Sequence, residues 1–549
     1  MTDCKKIAEL IFSDVDKSTE YYEELYPARD LPEGARVTRF APSPTGYLHF
    51  GGLYAGFASK LTAETTNGVF MLRIEDTDKK REVEDGVTGI VQGLEAFGVS
   101  PDEGVTGFNA EKGDYGPYTQ SHRREIYRAF AKKLMEEGKA YPCFCTPEEL
   151  DEIRAKQENE DIKGYYGAYA KCRDLTDEEI IEKVNAGIPY TVRLRSTGDI
   201  SRKIKFEDMI KGKIEMSENV NDVVVLKADG IPTYHFAHAV DDHLMRTTHV
   251  VRGVEWIASV PVHIELFRAL GNKPLKYAHI APIMKEENGG KRKLSKRKDP
   301  EANVSYYIEK GYPEASVKEY MLTILNSNFE EWRKANKTED ISKFPFNLKK
   351  MSVSGALFDG DKLLDVSKRV VSGMNSEQVV SKLTDWAKEF DSEFYTLLTR
   401  DTEYAKRVFA IDRDCPKPRK DIAKWSETKE YFAYMYNNLY TPDCTLPENI
   451  NSDDAKIFLE KYKSIYNAQD DRQTWFDRIK NIAPLIGFAA ETKQYKADPN
   501  SFKGHAGDLS TVLRIAITGR RNTPDLCSIM QVLGSDECIK RIDSAIKEL

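Results

Sequence analysis

Cysteine is scarce in this chain. Eight residues in 549 are too thinly scattered for a disulfide framework, and free thiols suit a reducing compartment such as the cytoplasm. Long hydrophobic runs are also missing: no stretch approaches the roughly 18 consecutive apolar residues of a membrane-spanning helix, so no membrane partner is expected. Residues 1–30 are rich in acidic groups and have no apolar stretch flanked by basic ones, so neither a secretion signal nor an Arg-rich transit peptide is expected there. Nor is there an excess of positive charge, since 81 basic residues face 89 acidic ones for a net −8. Nucleic-acid binding therefore has to be argued from local features. No segment recurs with a period of roughly 20–50 residues, which sets repeat architectures aside, and no low-complexity tract is present.

What is present is the mix of a globular protein, 40% hydrophobic and 31% charged. The length predicts about two to five packed domains. Val37–Phe40 reads as a strand that runs into Ala41-Pro42-Ser43-Pro44-Thr45-Gly46, which its prolines and glycine keep from being helical. From Gly51 to about Asn67 small and apolar residues recur at helical spacing, and Gly68 suits the helix C-terminus. Val69–Ile74 is an apolar strand ending in the charged cluster Arg73-Ile74-Glu75-Asp76-Thr77-Asp78, and a helix is expected over 82–97. Strand, helix, strand is a βαβ unit and implies a buried parallel sheet.

Residues 121–220 read as an α+β insertion, with a capping box opening a helix at Thr146-Pro147-Glu148-Glu149 and a strand at Tyr190–Leu194. The sheet is expected to resume at Val223–Leu226, turn at Ala228-Asp229-Gly230 and continue into Thr233–Phe236. From about 345 helical periodicity dominates, with loops at Pro416, Pro442, Pro447 and Pro499. Thr511–Ile517 suits either a helix or a strand because its β-branched residues fit both.

Two segments carry chemistry. Pro44-Thr45-Gly46-Tyr47-Leu48-His49-Phe50-Gly51-Gly52 joins a strand to a helix, the place where an open α/β sheet binds ligands. Glycines there admit a nucleotide, the helix N-terminus favours phosphate, and His49 offers a donor to developing charge; the plain alternative is a tight turn with an incidental histidine. The second is Lys291-Arg292-Lys293-Leu294-Ser295-Lys296-Arg297-Lys298 after Asn288-Gly289-Gly290. A basic run is commonly a solvated or nucleic-acid-facing loop. Here the glycines read as a mobile lead-in to a loop that closes its lysines over a triphosphate.

Together these segments resemble the two signature sequences of the class I aminoacyl-tRNA synthetases. The second histidine of the first signature is Gly52 here, and glutamyl enzymes commonly carry a small residue at that point. Thr38–Gly46, Arg73–Asp78, Asp229-Gly230-Ile231-Pro232-Thr233-Tyr234-His235 and Val240-Asp241-Asp242-His243 resemble the glutamyl- and glutaminyl-tRNA synthetases, from about residue 36 to the C-terminus. The resemblance implies ATP-dependent joining of glutamate to tRNA through an adenylate, with Mg²⁺ accompanying ATP. His49, Lys293 and Lys296 would be catalytic, and the ATP site would comprise His49, Gly51, Gly52, Glu255, Trp256, Lys293, Ser295 and Lys296. The glutamate site would comprise Arg39, Ala41, Ser43, Glu75, Tyr234, His238 and Arg252. Glu75 would hold the ammonium, and Arg39 and Arg252 would meet the side chain, since a guanidinium is a planar fork suited to a carboxylate. His238 stands where many relatives have asparagine. Arg252 argues for glutamate over glutamine, because a neutral amide leaves that cation unpaired. Two plainer alternatives stand beside this: Arg252 paired with Glu255, and Tyr234 filling the core.

Cys143-Phe144-Cys145 with Cys172 is similar to a zinc site in the insertion of some glutamyl enzymes. Tetrahedral zinc needs four ligands, and Asp174 or Tyr169 would supply the last; the alternative is three unliganded cysteines. Phe346–Asp359, and Leu513–Arg521 with Pro524 and Val532-Leu533-Gly534, resemble the helical anticodon-binding region of bacterial-type glutamyl enzymes. The implied fold is α/β, a Rossmann-like class I synthetase catalytic domain with an α+β insertion, followed by all-helical C-terminal anticodon-binding domains. Its parts are an N-terminal extension (1–35), catalytic halves (36–120 and 221–275), an acceptor-stem insertion (121–220), a helical connector holding the lysine loop (276–345) and the anticodon region (346–549). The implied partner is tRNA(Glu), with tRNA(Gln) as an open second acceptor, and the chain is expected to act as a monomer. The rivals are a glutaminyl enzyme and a non-catalytic tRNA-binding relative.

Overall fold

The computed structural model of this chain describes residues 3–77, 85–161 and 163–549. Asp78 and the start of the helix expected over 82–97 lie outside the described residues; the described part of that helix is Gly86–Glu95. Two compact units are present, one of Met1–Tyr307 with Lys318–Asp359 and one of Ile308–Val317 with Gly360–Leu549.

In the first unit, β1 (Val37–Phe40), β2 (Val69–Leu72) and β3 (Glu103–Gly107) run parallel, and β4 (Ala110–Lys112) turns back along β3. The helix Phe50–Glu64 connects β1 to β2 and is buried along much of its length, so its residues are small and apolar on nearly every face. A three-stranded antiparallel sheet follows from β5 (Ala140–Cys143), β6 (Thr191–Leu194) and, later in the chain, β9 (Val224–Leu226). Between β6 and β9 lies the hairpin β7 (Lys203–Asp208) and β8 (Gly212–Ser217). β10 (His249–Gly253) and β11 (Lys276–Ile280) are parallel to each other, and β11 also pairs with β7. β10 starts beside β1, because the Thr248 amide donates to the Val37 carbonyl at 2.9 Å and the Val37 amide donates to the Thr248 hydroxyl at 2.8 Å. β12 (Met284–Glu287) and β13 (Gly290–Lys293) form a last hairpin.

Several expectations need correction. Thr233–Phe236 does not continue a sheet: Thr233 caps the helix Tyr234–Leu244, whose Phe236, Ala237, Val240 and Leu244 are buried at helical spacing. Val224–Leu226 pairs with the insertion's β6, so the catalytic sheet resumes only at β10. Gly68 does not take the left-handed position after its helix; Asn67 does, at φ 52°. Gly68 is small for another reason, since a Cβ there would lie 1.9 Å from the Arg36 carbonyl oxygen. Asn288 and Gly289 are the centre of the β12–β13 turn, at φ 52° and 76°, the pattern of a type I′ hairpin rather than a mobile lead-in. The segment holding the lysine loop is thus a hairpin, not helical, at its start.

The second unit is helical, and among the described residues beyond Lys293 no strand longer than an isolated bridge occurs. Its core is built by Leu383, Phe394, Phe458, Ile479, Leu513 and Ile542 from successive helices. Thr511–Ile517 is helical, inside Ala506–Thr518, where a His505–Asp508 capping box starts the helix and Gly519 ends it at φ 69°. Leu509, Val512, Leu513, Ile515, Ala516 and Ile517 are all buried there, and that burial in the helical core outweighs β-branched preference.

The residues ahead of β1 form the helices Cys4–Ile11 and Thr19–Leu25. Glu23 accepts from His243 at 2.5 Å and from Arg246 at 2.8 Å, and the Tyr26 carbonyl accepts from Arg246 at 3.0 Å. The extension thereby clasps the end of the helix Tyr234–Leu244.

Candidate active site

β1 ends at Phe40, and the segment with two prolines after it stays non-helical, bending over residues 45–47, until His49. His49 is the N-cap of the helix Phe50–Glu64, and its Nδ1 accepts the Gly51 amide at 2.8 Å. With Nδ1 an acceptor, the proton of the neutral ring sits on Nε2. Burial, aided by Lys296 and Lys293, pushes the His49 pKa down to about 4, so the ring is neutral at pH 7. The result is a fixed N–H donor at a helix N-terminus, which favours an anion.

The lysine loop follows β13. Leu294 is buried and its amide donates to the Ile283 carbonyl at 3.0 Å. Asp299 organises the turn: it accepts from the Ser295 amide at 2.9 Å, from Arg292 at 2.6 Å and from Lys285 at 3.1 Å. Lys296 projects its ammonium to the Tyr47 carbonyl at 2.5 Å, which brings the two signature segments together. Burial lowers the Lys296 pKa.

Between these segments and the strand ends lies a cavity of about 420 Å³, within the size range of small-molecule sites. Its wall carries His49, Gly51, Gly52 and Lys293, then Glu255 and Trp256, and also Ala41, Ser43, Arg39, Glu75, Tyr234 and Arg252. Ser295, Lys296 and His238 are not part of this wall. His238 is wholly buried, with Nδ1 2.7 Å from Asp242 and Nε2 3.2 Å from the Tyr277 hydroxyl; burial, resisted by Asp242, takes its pKa to about 3. One helical turn from Tyr234, His238 thus faces the core rather than the cavity.

Two arginines and one glutamate are in the wall, Arg39, Arg252 and Glu75. Arg39 donates through Nε to Asp242 at 3.1 Å, and its terminal nitrogens carry no partner among the described residues. Glu75 accepts from Arg73 at 3.2 Å; burial raises its pKa while Arg73 and Arg39 oppose that rise. Arg252 is buried and, among the described residues, donates only to neutral groups: His279, Tyr234, the Trp256 carbonyl and His263. No bond to Glu255 occurs, which removes the first plain alternative. Tyr234 is half-buried against Trp256, with ring centroids 4.2 Å apart, and it lines the cavity rather than filling the core.

The support behind these groups was not anticipated. Asp242 bonds both Arg39 and Arg73, the latter at 2.5 Å. Against the cost of its own burial, those two cations hold its carboxyl well below the usual range. Asp241 accepts from Arg123 at 2.6 Å, Gln120 at 2.9 Å and Tyr127 at 2.8 Å. Two adjacent aspartates in a helix with a buried apolar face were the available signal, because buried carboxylates need cationic partners.

In the insertion, the sulfurs of Cys143, Cys145 and Cys172 all lie within 4.8 Å of one another. The fourth-ligand candidates are corrected: Asp174 pairs with Arg195 at 3.0 Å and the Tyr169 hydroxyl donates to Glu160. Tyr165 is the oxygen beside the sulfurs, 3.2 Å from Cys145 Sγ. All eight cysteines are free thiols.

A family model described as tRNA synthetases class I (E and Q), catalytic domain, matches residues 36–365, and one described as anticodon binding domain matches residues 380–546. The chain is 50% identical to a glutamate–tRNA ligase of Clostridium perfringens over 98% of its length and all of the relative's. It is 46% identical to that of Sorangium cellulosum over 97% and 99% of the two chains. A crystal structure of a glutamate tRNA ligase from Elizabethkingia meningosepticum in complex with its amino acid aligns with a TM-score of 0.73 at 28% identity, covering 94% of this chain and 99% of that one.

Proposed function

From the premise that the chain belongs to the class I tRNA synthetases, on their glutamate–tRNA ligase branch, we propose how its cavity carries out the reaction. The enzyme attaches L-glutamate to the 3′ end of its tRNA with ATP, which brings Mg²⁺. The glutamate α-carboxylate oxygen attacks the α-phosphorus, the bond to the bridging oxygen breaks, and pyrophosphate leaves. A hydroxyl of the tRNA's terminal adenosine then takes the acyl group and releases AMP.

Arg252, together with Arg39, receives the side-chain carboxylate, and Tyr234 packs on Trp256 with its hydroxyl against Arg252. Glu75 takes the ammonium, with Ala41 and Ser43 in the same wall. His49 donates through Nε2 to the phosphate, and the bare turn at Gly51 and Gly52 leaves space for ATP beside Glu255 and Trp256. Lys293 already lines the cavity, while Lys296 and Ser295 reach the triphosphate when the loop shifts from its contact with Tyr47. These donors act by stabilising charge that spreads over the phosphate oxygens. The observation that carries the reading is Arg252, a buried cation whose partners among the described residues are all neutral: a carboxylate completes it and a glutamine amide does not. Charging measured with labelled glutamate and labelled glutamine tests it, and equal use of both refutes it.

By the same reading the insertion over 121–220 meets the acceptor stem, residues 276–345 connect, and the helices of 346–549 read the anticodon of tRNA(Glu). Charging assays on purified tRNA(Glu) and tRNA(Gln) decide whether the second is also an acceptor. We take the enzyme to act as a cytoplasmic monomer, which sedimentation at assay concentration checks for mass. Cys143, Cys145 and Cys172 are placed to hold zinc, with Tyr165 as the fourth ligand, and the metal would supply a structural cross-link in the insertion. Zinc near one equivalent per chain in protein purified without added metal supports this; a content near zero refutes it.

A further inference from the structure

Arg252 lies on β10 with its guanidinium 4.8 Å from the centroid of the Tyr277 ring. Its donors are met by four neutral acceptors. Nε donates to His279 Nε2 at 3.1 Å, Nη1 to the Tyr234 hydroxyl at 3.4 Å, and Nη2 to the Trp256 carbonyl at 3.3 Å and to His263 Nδ1 at 3.2 Å.

Arginine donates only, so each histidine nitrogen that meets it must be unprotonated. That fixes both tautomers. His279 carries its proton on Nδ1, where Asp208 accepts it at 2.6 Å, and the Asp208 carboxylate also accepts the His279 amide at 3.1 Å. His263 carries its proton on Nε2 and passes it to His235 Nδ1 at 2.9 Å. Asp208 is wholly enclosed at the end of β7, on the hairpin next to β11. It therefore sits one residue removed from the cation it serves. A carboxylate in direct contact with Arg252 would orient it equally well but would also cancel its charge.

We propose that His279, oriented by Asp208, is the positioning residue that sets selectivity for a carboxylate over an amide: it holds Arg252 in place as a neutral acceptor and leaves the full positive charge for the substrate. This rests on the reading that Arg252 receives the glutamate side chain. Burial, opposed by Asp208 and helped by Arg252, lowers the His279 pKa, consistent with a ring that stays neutral while it accepts. His263 supports the opposite edge of the guanidinium in the same way.

The test uses the full-length enzyme and its tRNA, with KM and kcat for glutamate and KM for ATP measured in aminoacylation. In His279→Asn the side-chain amide can still donate to Asp208 but does not reach Arg252. In His279→Gln the longer side chain places an oxygen near the lost Nε2. The expected result is a glutamate KM raised about tenfold or more in the Asn variant, with kcat and the ATP KM within about threefold, and substantial recovery in the Gln variant. Asp208→Asn approaches the pair from its other end and frees the wrong tautomer, so it raises the glutamate KM too; it decides the matter if His279→Asn does not fold. An unchanged glutamate KM in His279→Asn and Asp208→Asn, or equal losses in the Asn and Gln variants, overturns the proposal. Arg252→Gln runs alongside: if it leaves the glutamate KM unchanged, the role given to Arg252 fails first. If Arg252→Gln raises that KM while the His279 and Asp208 variants do not, only the present proposal fails.

Discussion

His49 serves two ends with two nitrogens, and one substitution separates them. Nδ1 caps the helix through the Gly51 amide, while Nε2 carries the proton of the neutral ring, and His49 is part of the cavity wall. Asparagine is a good N-cap, and its side-chain oxygen can replace Nδ1, but it is too short to replace Nε2. An N-cap is worth about 1 kcal/mol, so His49→Asn should unfold thermally near the wild type, and His49→Ala should lose roughly that amount. The missing donor is a different matter. Removing one preorganised donor to transition-state charge costs about 2.7–4 kcal/mol, or roughly 10²–10³ in kcat. Aminoacylation at saturating glutamate, ATP and tRNA should show that loss in both variants alike. The pH profile adds a second check. Burial and the two lysines depress the folded pKa to about 4, below the ordinary value near 6.5, so His49 stays a neutral donor above about pH 5 and contributes no limb near pH 6.5. A kcat within about threefold of wild type in His49→Asn, or a limb near pH 6.5 that this substitution abolishes, refutes the role.

Lys296→Ala removes a cation whose ammonium, among the described residues, bonds only a backbone carbonyl, so aminoacylation should fall by about 10² or more with thermal unfolding unmoved; unchanged turnover would remove the loop from the chemistry. Asp242→Asn leaves Arg39 and Arg73 without their shared buried carboxylate. It should destabilise the first unit by about 3–5 kcal/mol and raise the glutamate KM, both measurable by denaturant titration and kinetics. A denaturation midpoint equal to wild type would show that the network adds no stability. Acid should weaken the fold through His238, His263 and His279, whose folded pKa values all lie below the ordinary one. Their contribution is complete above about pH 6.5 and declines as pH falls toward the folded values, so the urea midpoint should drop between about pH 6.5 and 4; a rise in that window contradicts the assignment.

Much of the site was readable because it is covalently local. Pro42, Pro44, Gly46, His49 and Gly51 lie within one turn between a strand and a helix, where backbone chemistry alone dictates conformation and an anion-binding end. Arg39 and Glu75 fall at or just past the carboxyl ends of adjacent parallel strands, so pattern alone brings them together. The Asn288-Gly289 hairpin was missed, read as a mobile lead-in, although that dipeptide is itself a strong type I′ turn signal. What escaped was phase and partnership. Thr233–Phe236 carries no periodicity long enough to separate strand from helix, and with the helix unseen the inward faces of His238 and Asp242 could not be assigned.

The sequence by itself determined the βαβ core, the two signature segments and the residue types that suit a carboxylate and a triphosphate, because those depend on neighbours along the chain. Only the tertiary structure decided which acceptor meets which cation. Asp242 is spent on Arg39 and Arg73, Tyr165 rather than Tyr169 or Asp174 stands beside the cysteines, and Arg252 meets histidines instead of Glu255. Charges far apart in sequence pair according to burial and strand register, and neither is written in local composition.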